Sequence, residues 1–419
     1  MMQKHSRQVV LNLPQFINRC LQYSRAASGK THTAIENPLV EEQQFQEQLK
    51  SFTPTPWVTY LLVAINVAVW FYMLMHGATF TNSPSDKLLI WGGNAASEVQ
   101  KGEWWRLITS MFLHGGFSHL LMNMIGLVSI GVTVERIYGH RLFALIYFGA
   151  GIIGSALSLN FAAQHVVSVG ASGAIFGIAG AMMIGLYQHK DKLPKTIGKQ
   201  NISGIAVFIL FNLVNGLASR GIDNAAHIGG LLGGCLLAYL LPEKFDMAHF
   251  ARHLKNRAIV GMIVVMIATS GLAAIAPHAT FDQGKAVATQ QAFSRGMEGF
   301  LAAAKIVQQD QLSVKAGKMT ELESDARSRT VYAPMYQKVL QDLSQAYLSP
   351  TDPRLPLLID AKRMCELFIE SFGMDSVIGA DGKLQPANPE RMVAIELELK
   401  KLSAQFQQDV QNVKSKQSR

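Results

Sequence analysis

Four residues in this chain have the types and spacing to do chemistry together. Ser172 lies in Gly170-Ala171-Ser172-Gly173, and His227 lies in Ala226-His227-Ile228-Gly229-Gly230. A serine hydroxyl is a weak nucleophile until a neighbouring base takes its proton. His227, the single histidine of its apolar stretch, is the candidate base. His119 and Asn123 are four residues apart and so share one helix face. Both can donate hydrogen bonds to an oxyanion, as can the backbone amides of a helix that starts at Ser172. The chemistry expected of such a set is acyl transfer through a serine nucleophile. Read singly, each has a plainer role. Ser172 could be a small packing residue, His227 a buried histidine bonded to backbone, and His119 and Asn123 a helix–helix tie.

The elements that must position these groups are apolar. The chain has 419 residues, of which 49% are hydrophobic and 16% charged. An average soluble domain has about 25% charged residues. Residues 57–76, 107–134, 142–163, 166–188, 202–218, 224–241 and 258–276 form seven runs with almost no internal charge. Each is near or above the roughly 18 residues that mark a membrane-spanning helix. A polar side chain inside such a run is costly and needs a reason.

Loop charges set the orientation. The loops after the second, fourth and sixth runs carry Arg136, Arg141, Lys190, Lys192, Lys195, Lys199, Lys244, Arg252, Lys255 and Arg257. The opposite loops carry Lys87, Lys101, Arg106 and Arg220. Ten against four places the amino terminus in the cytoplasm and, with seven spans, the carboxy-terminal tail outside. The second, fourth and sixth runs then all travel inward. His119, Asn123, Ser172 and His227 fall near the start of each and should share one depth below the outer surface. The net charge of +9 does not point to nucleic acid. Residues 279–419 are balanced, with 18 basic against 17 acidic residues, and the excess lies in the loops between spans. The basic inner loops are topology signals first and lipid-binding patches second.

Glycines supply close approach. Gly173 and Gly177 on the fourth run, and Gly230 and Gly234 on the sixth, are small residues at helical spacing that let two membrane helices pack tightly. Phe176, one turn beyond Ser172, could lie under the His227 ring. Asp223 is four residues before His227 and reads as the amino-terminal cap of that helix rather than as a third catalytic member. His114 reads as structural, hydrogen-bonding the first loop.

These motifs together resemble the rhomboid family of intramembrane serine proteases. The Gly-x-Ser-Gly of Gly170–Gly173 is one. The Ala-His-x-x-Gly-x-x-x-Gly of Ala226 to Gly234 is another, and His119-x-x-x-Asn123 a third. The first-loop Trp105-Arg106 and the inner Glu135-Arg136 also resemble family positions. The resemblance spans about residues 57–241. It departs at Phe176, where the family often has tyrosine. It implies a Ser172–His227 dyad without an acidic third member, an oxyanion hole using His119 and Asn123, no cofactor or metal, and transmembrane proteins as substrates.

The expected fold class is an all-α membrane protein: a rhomboid-like six-helix bundle, an added seventh transmembrane helix and a soluble helical carboxy-terminal domain. Residues 1–56 form a polar cytoplasmic region, 57–241 the six-span core, 242–257 a basic cytoplasmic linker, 258–276 the seventh span and 277–419 an extracytoplasmic helical domain. In the last, Met335–Leu348 and Leu357–Phe372 show helical periodicity. Cys20, Cys235 and Cys365 are too scattered for a disulfide framework or a metal site. No cleavable signal peptide is legible before Trp57, which favours a bacterial plasma (inner) membrane. Partners are transmembrane substrates and lipids, with no nucleic acid; the oligomeric state is open. The alternatives are a non-proteolytic rhomboid-like protein that binds client spans, expected to lack the serine or the histidine, and a transporter, expected to show repeated halves and broken helices.

Overall fold

A computed structural model describes residues 38–161, 167–189, 195–218, 222–379 and 384–417. The amino-terminal stretch to residue 37, with Cys20, and the loop residues Lys190, Lys192 and Arg220 lie outside them. Helix α1 is Pro38–Phe52 and α2 is Trp57–Met75. Three short helices follow: α3 (Ser85–Ile90), α4 (Ala96–Gln100) and α5 (Arg106–Thr109). The bundle continues with α6 (Phe117–Phe161), α7 (Ser172–Gln188), α8 (Lys195–Ala218), α9 (Asn224–Leu240) and α10 (Met247–Ala274).

Helix α6 has 45 residues, about 68 Å if straight and twice what a bilayer needs. It is two helices. They meet at Gly139, whose φ of 72° few side chains would tolerate. The amide of Lys244 donates to the carbonyl of Ile137 at this corner. The Lys244 ammonium reaches the Phe52 carbonyl at 2.7 Å, and Thr53 Oγ1 donates to the Arg136 carbonyl. The basic loop residues Arg136 and Lys244 therefore gather at one end of the bundle.

Glu135, fully buried, explains why α2 starts where it does. Its carboxylate accepts from the amides of Val58 (3.0 Å) and Thr59 (2.7 Å) and from the Thr59 hydroxyl (2.6 Å). Thr55 and Pro56 offer no side-chain cap, so an acid from another helix supplies it.

Helix bounds differ from the apolar runs where polar chemistry overrides hydropathy. The second run, expected from 107, folds as α5 and a turn at Ser110–Phe112, and the long helix begins only at Phe117. His114 thus precedes the helix. The fourth run, expected from 166, becomes helical at Ser172, after an extended bridge pairing Ser168 with Asn94. The seventh helix starts at Met247 rather than 258, because Asp246 caps it by accepting from the His249 amide. Most of the basic linker is therefore its first turns.

Among the described residues three helices, α2, α6 and α10, are long and apolar enough to cross a membrane. Helices α7 and α9 are apolar but have 17 residues each, the lower end of spanning length. The bundle core centres on α6, α7 and α9, with Tyr147, Phe143, Leu127 and Phe176 fully enclosed.

A second core lies beyond residue 282. Helices α11 (Gln283–Lys315), α13 (Ala333–Ser344), α14 (Leu355–Gly373) and α15 (Pro389–Gln417) pack around Phe300, Tyr336, Leu343 and Cys365, with the short α12 (Glu321–Arg327) outside that core. Strands β1 (Ser376–Ile378) and β2 (Leu384–Pro386), which the periodicity does not announce, pair antiparallel beside them.

Candidate active site

Ser172 is the first residue of α7, and His227 sits in the first turn of α9. The Ser172 hydroxyl oxygen lies 2.8 Å from His227 Nε2. Their helices can come this close because the facing residues have no side chains. A Cβ on Gly230 would stand 2.0 Å from the Gly173 carbonyl oxygen, and one on Gly234 would stand 1.9 Å from that of Gly177. Helix α6 closes the third side. A Cβ on Gly154 would meet the Ala226 carbonyl oxygen at 2.5 Å, next to His227.

The histidine is fixed from below. The Phe176 ring stacks on it with centroids 4.4 Å apart and planes 3° from parallel. His227 is buried, and among the described residues its Nδ1 has no hydrogen-bond partner. Asp223 does not orient that nitrogen. One carboxylate oxygen accepts from the Ala226 amide at 2.9 Å, capping α9, and the other accepts from the Ser158 hydroxyl on α6. Each oxygen is engaged, and neither bonds to His227. Ser158 was invisible in the sequence as a site residue, since one serine in an apolar run carries no pattern.

The loop before Ser172 brings in His119. Gly170 has φ of +122°, open to glycine, and a Cβ there would lie 2.7 Å from His119 Nε2 and 3.8 Å from the Ser172 hydroxyl. His119 and Ser172 therefore border the same small space. The Gly115 amide points at His119 Nδ1 at 3.4 Å, which makes Nδ1 the acceptor and leaves Nε2 to carry the proton toward Ser172. Asn123 is less directly placed. Its amide nitrogen donates to the His119 carbonyl at 2.8 Å, one turn back, so one of its two hydrogens is engaged. His114 is buried with its ring 5.1 Å from that of His119, packed edge to face.

Trp105 and Arg106 do not reach this cluster. The Arg106 guanidinium donates to the carbonyls of Leu89 (2.5 Å) and Gly93 (3.0 Å) and to Glu103, and lies 4.7 Å from the Trp105 ring. Arg106 ties the first loop together. Trp105 is half exposed. Among the described residues no group of three or more His, Cys, Asp or Glu side chains could hold a metal ion.

A Rhomboid domain family model matches residues 101–244, which include all of this cluster. The chain is 31% identical over 208 residues to the putative rhomboid protease YdcA of Bacillus subtilis, covering 49% of this chain and 96% of that protein. The chain belongs to the rhomboid family. To the rhomboid protease AarA of Providencia stuartii it is 33% identical over 237 residues, covering 51% of this chain and 83% of that one. To the rhomboid protease GluP of Bacillus subtilis it is 40% identical over 225 residues, 51% of this chain but 43% of that longer protein. The matches cover about half of this chain. As a rhomboid protein with apolar helices of spanning length, it is an all-α, multi-pass membrane protein.

Proposed function

We propose that this protein is an intramembrane serine endopeptidase that cuts single-span membrane proteins near the outer face of the bilayer. The observation that carries the reading is the 2.8 Å contact between the Ser172 hydroxyl and His227 Nε2. It lies within the roughly 2.6–3.2 Å in which a base can take a proton directly.

In this reading His227 Nε2 takes the hydroxyl proton as Ser172 attacks the scissile carbonyl carbon. Negative charge moves onto the carbonyl oxygen. His119 Nε2, the amides at the start of α7 and, after a small side-chain rotation, Asn123 donate to it. Those first amides have no partner within their own helix and carry the positive end of its dipole. The imidazolium then gives its proton to the leaving amine, and an acyl-enzyme remains on Ser172. Water, activated by the same histidine, hydrolyses it. Phe176 holds the ring in the plane that both transfers need. With Asp223 engaged elsewhere, the machinery is a dyad. No cofactor or metal enters any step.

The proposed topology has six core spans and a seventh, with the amino terminus in the cytoplasm and residues 277–419 outside. Two features favour it. Arg136 and Lys244 gather at one end of the bundle, as inner-loop charges should. The residues that follow α10 bond to α4, at the end where Ser172 opens.

The test is cleavage of a model single-span substrate by the purified chain in lipid, with the cut site mapped by mass spectrometry. Cleavage within the span near its outer end, lost in Ser172→Ala, is expected. Cleavage that persists in that variant would remove Ser172 from the nucleophile role.

A further inference from the structure

The carboxy-terminal domain is fastened to the first loop by a polar latch. Helix α4 supplies one side. Glu98 Oε1 accepts from the Gly284 amide at 3.0 Å, and the Gln283 amide donates to Ser97 Oγ at 3.2 Å. The Glu98 carboxylate therefore sits at the amino terminus of α11, where the first helix amides meet acceptors from α4. Lys101 bridges Glu98 (2.9 Å) and Asp282 (2.6 Å). Gln100 clasps the linking segment from both ends of its amide, donating to the Pro277 carbonyl at 2.8 Å and accepting from the Ala279 amide at 2.9 Å. An apolar contact lies beneath. Val99 and Leu107 pack with Leu159 of α6 and with Ala273 and Ala276 at the end of α10.

The other end of the latch leads to the nucleophile. Asn94, two residues before α4 and buried, exchanges two backbone hydrogen bonds with Ser168, at 2.9 and 2.8 Å. Its side-chain amide donates to the Ser155 carbonyl of α6 at 2.9 Å. Ser168 starts the short non-helical segment that leads to Ser172. That segment contains Gly170, whose amide donates to the Ser110 carbonyl and whose Cα borders both His119 and Ser172.

We propose that Asn94 and Glu98 are positioning residues: the carboxy-terminal domain grips α4 through Glu98, and Asn94 passes that constraint to residues 168–171, which present Ser172. This rests on the protease reading for its catalytic consequence, and on geometry alone for the coupling. It gives the domain beyond residue 282 a task in the reaction. A partner or substrate that pulled on that domain would act on the nucleophile through about ten residues of the first loop.

The experiment uses the full-length chain in lipid nanodiscs. Amide hydrogen exchange is followed at residues 168–171 and 277–285, together with fluorophosphonate labelling and kcat and KM on a single-span substrate. Glu98→Ala should free the latch and speed exchange in both segments. Labelling and kcat should fall about tenfold, with KM within twofold. Glu98→Gln, which keeps an oxygen to accept from Gly284, should recover most of the loss. Gln100→Ala, at an exposed edge, should show the same signature in weaker form and carries the test if Glu98→Ala does not accumulate. Faster exchange at 277–285 with wild-type exchange at 168–171 would overturn the coupling. So would an equal loss in Glu98→Gln and Glu98→Ala. If the wild-type chain neither labels nor cleaves, the protease reading fails, and the exchange comparison still decides the latch.

Discussion

Replacing Gly230 with alanine should disable the site without touching a reacting atom. The new methyl carbon would stand 2.0 Å from the Gly173 carbonyl oxygen, where real Cβ contacts do not fall below 3.0 Å. Helices α7 and α9 must therefore part by about 1 Å at that level, since the obstacle is backbone and cannot rotate away. Ser172 and His227 lie one turn or less from the contact. Their 2.8 Å separation would grow past the roughly 3.2 Å limit for direct proton transfer. A misplacement of about 1 Å can cost on the order of 100-fold in rate, near 2.7 kcal/mol in the barrier. Overpacking should also cost about 1–3 kcal/mol of stability. The assay is the fluorophosphonate labelling rate per folded molecule, with the folded fraction taken from size exclusion. Gly204→Ala is the control, because a Cβ there meets nothing within 4 Å. A folded Gly230→Ala protein labelling within about threefold of wild type would refute the claim that glycine contact sets the Ser172–His227 distance.

Two further predictions separate roles. Asp223→Asn keeps an oxygen for the Ala226 amide, so kcat on a single-span substrate should stay within about tenfold of wild type, whereas loss of a true triad acid costs on the order of 10⁴. Glu243, in the turn between α9 and α10, has its pKa pushed up to about 7 by burial, with its own backbone amide and then the Tyr138 hydroxyl pulling the other way. A carboxyl raised in the folded state stabilises the fold below its ordinary range and loses that contribution as pH climbs through the folded value. Glu243→Gln should therefore gain thermal stability over wild type as pH rises from 5 to 7, by at most about 3 kcal/mol. A difference that is flat with pH would contradict it.

Much of the site was readable from residue types and spacing. Ser172, His227 and the paired glycines stand out because a polar residue in an apolar run, or a small residue at every fourth position, leaves a pattern. The third side of the site left less. Gly154 also leaves no room for a Cβ against the Ala226 carbonyl, but it lies in a run of small residues where no single glycine is marked. Trp105 and Arg106 are legible as a motif and fall outside the cluster around Ser172 and His227, since the guanidinium is spent on the carbonyls of Leu89 and Gly93. Helix starts were the least legible. Hydropathy cannot see that Glu135 caps α2 across 76 residues, or that Asn94 pairs with Ser168 just before α7 begins at the serine. The latch on α11 was equally hidden, because its partners are about 186 residues apart.

The central claim is that Ser172 is a nucleophile made reactive by His227. Its most direct measurement is covalent modification. The purified chain in lipid is treated with a fluorophosphonate, and the adduct is located by peptide mass. The account predicts one adduct on Ser172, slowed by orders of magnitude in His227→Ala and absent in Ser172→Ala. An adduct on another residue, or full-rate labelling of Ser172 without His227, would contradict it.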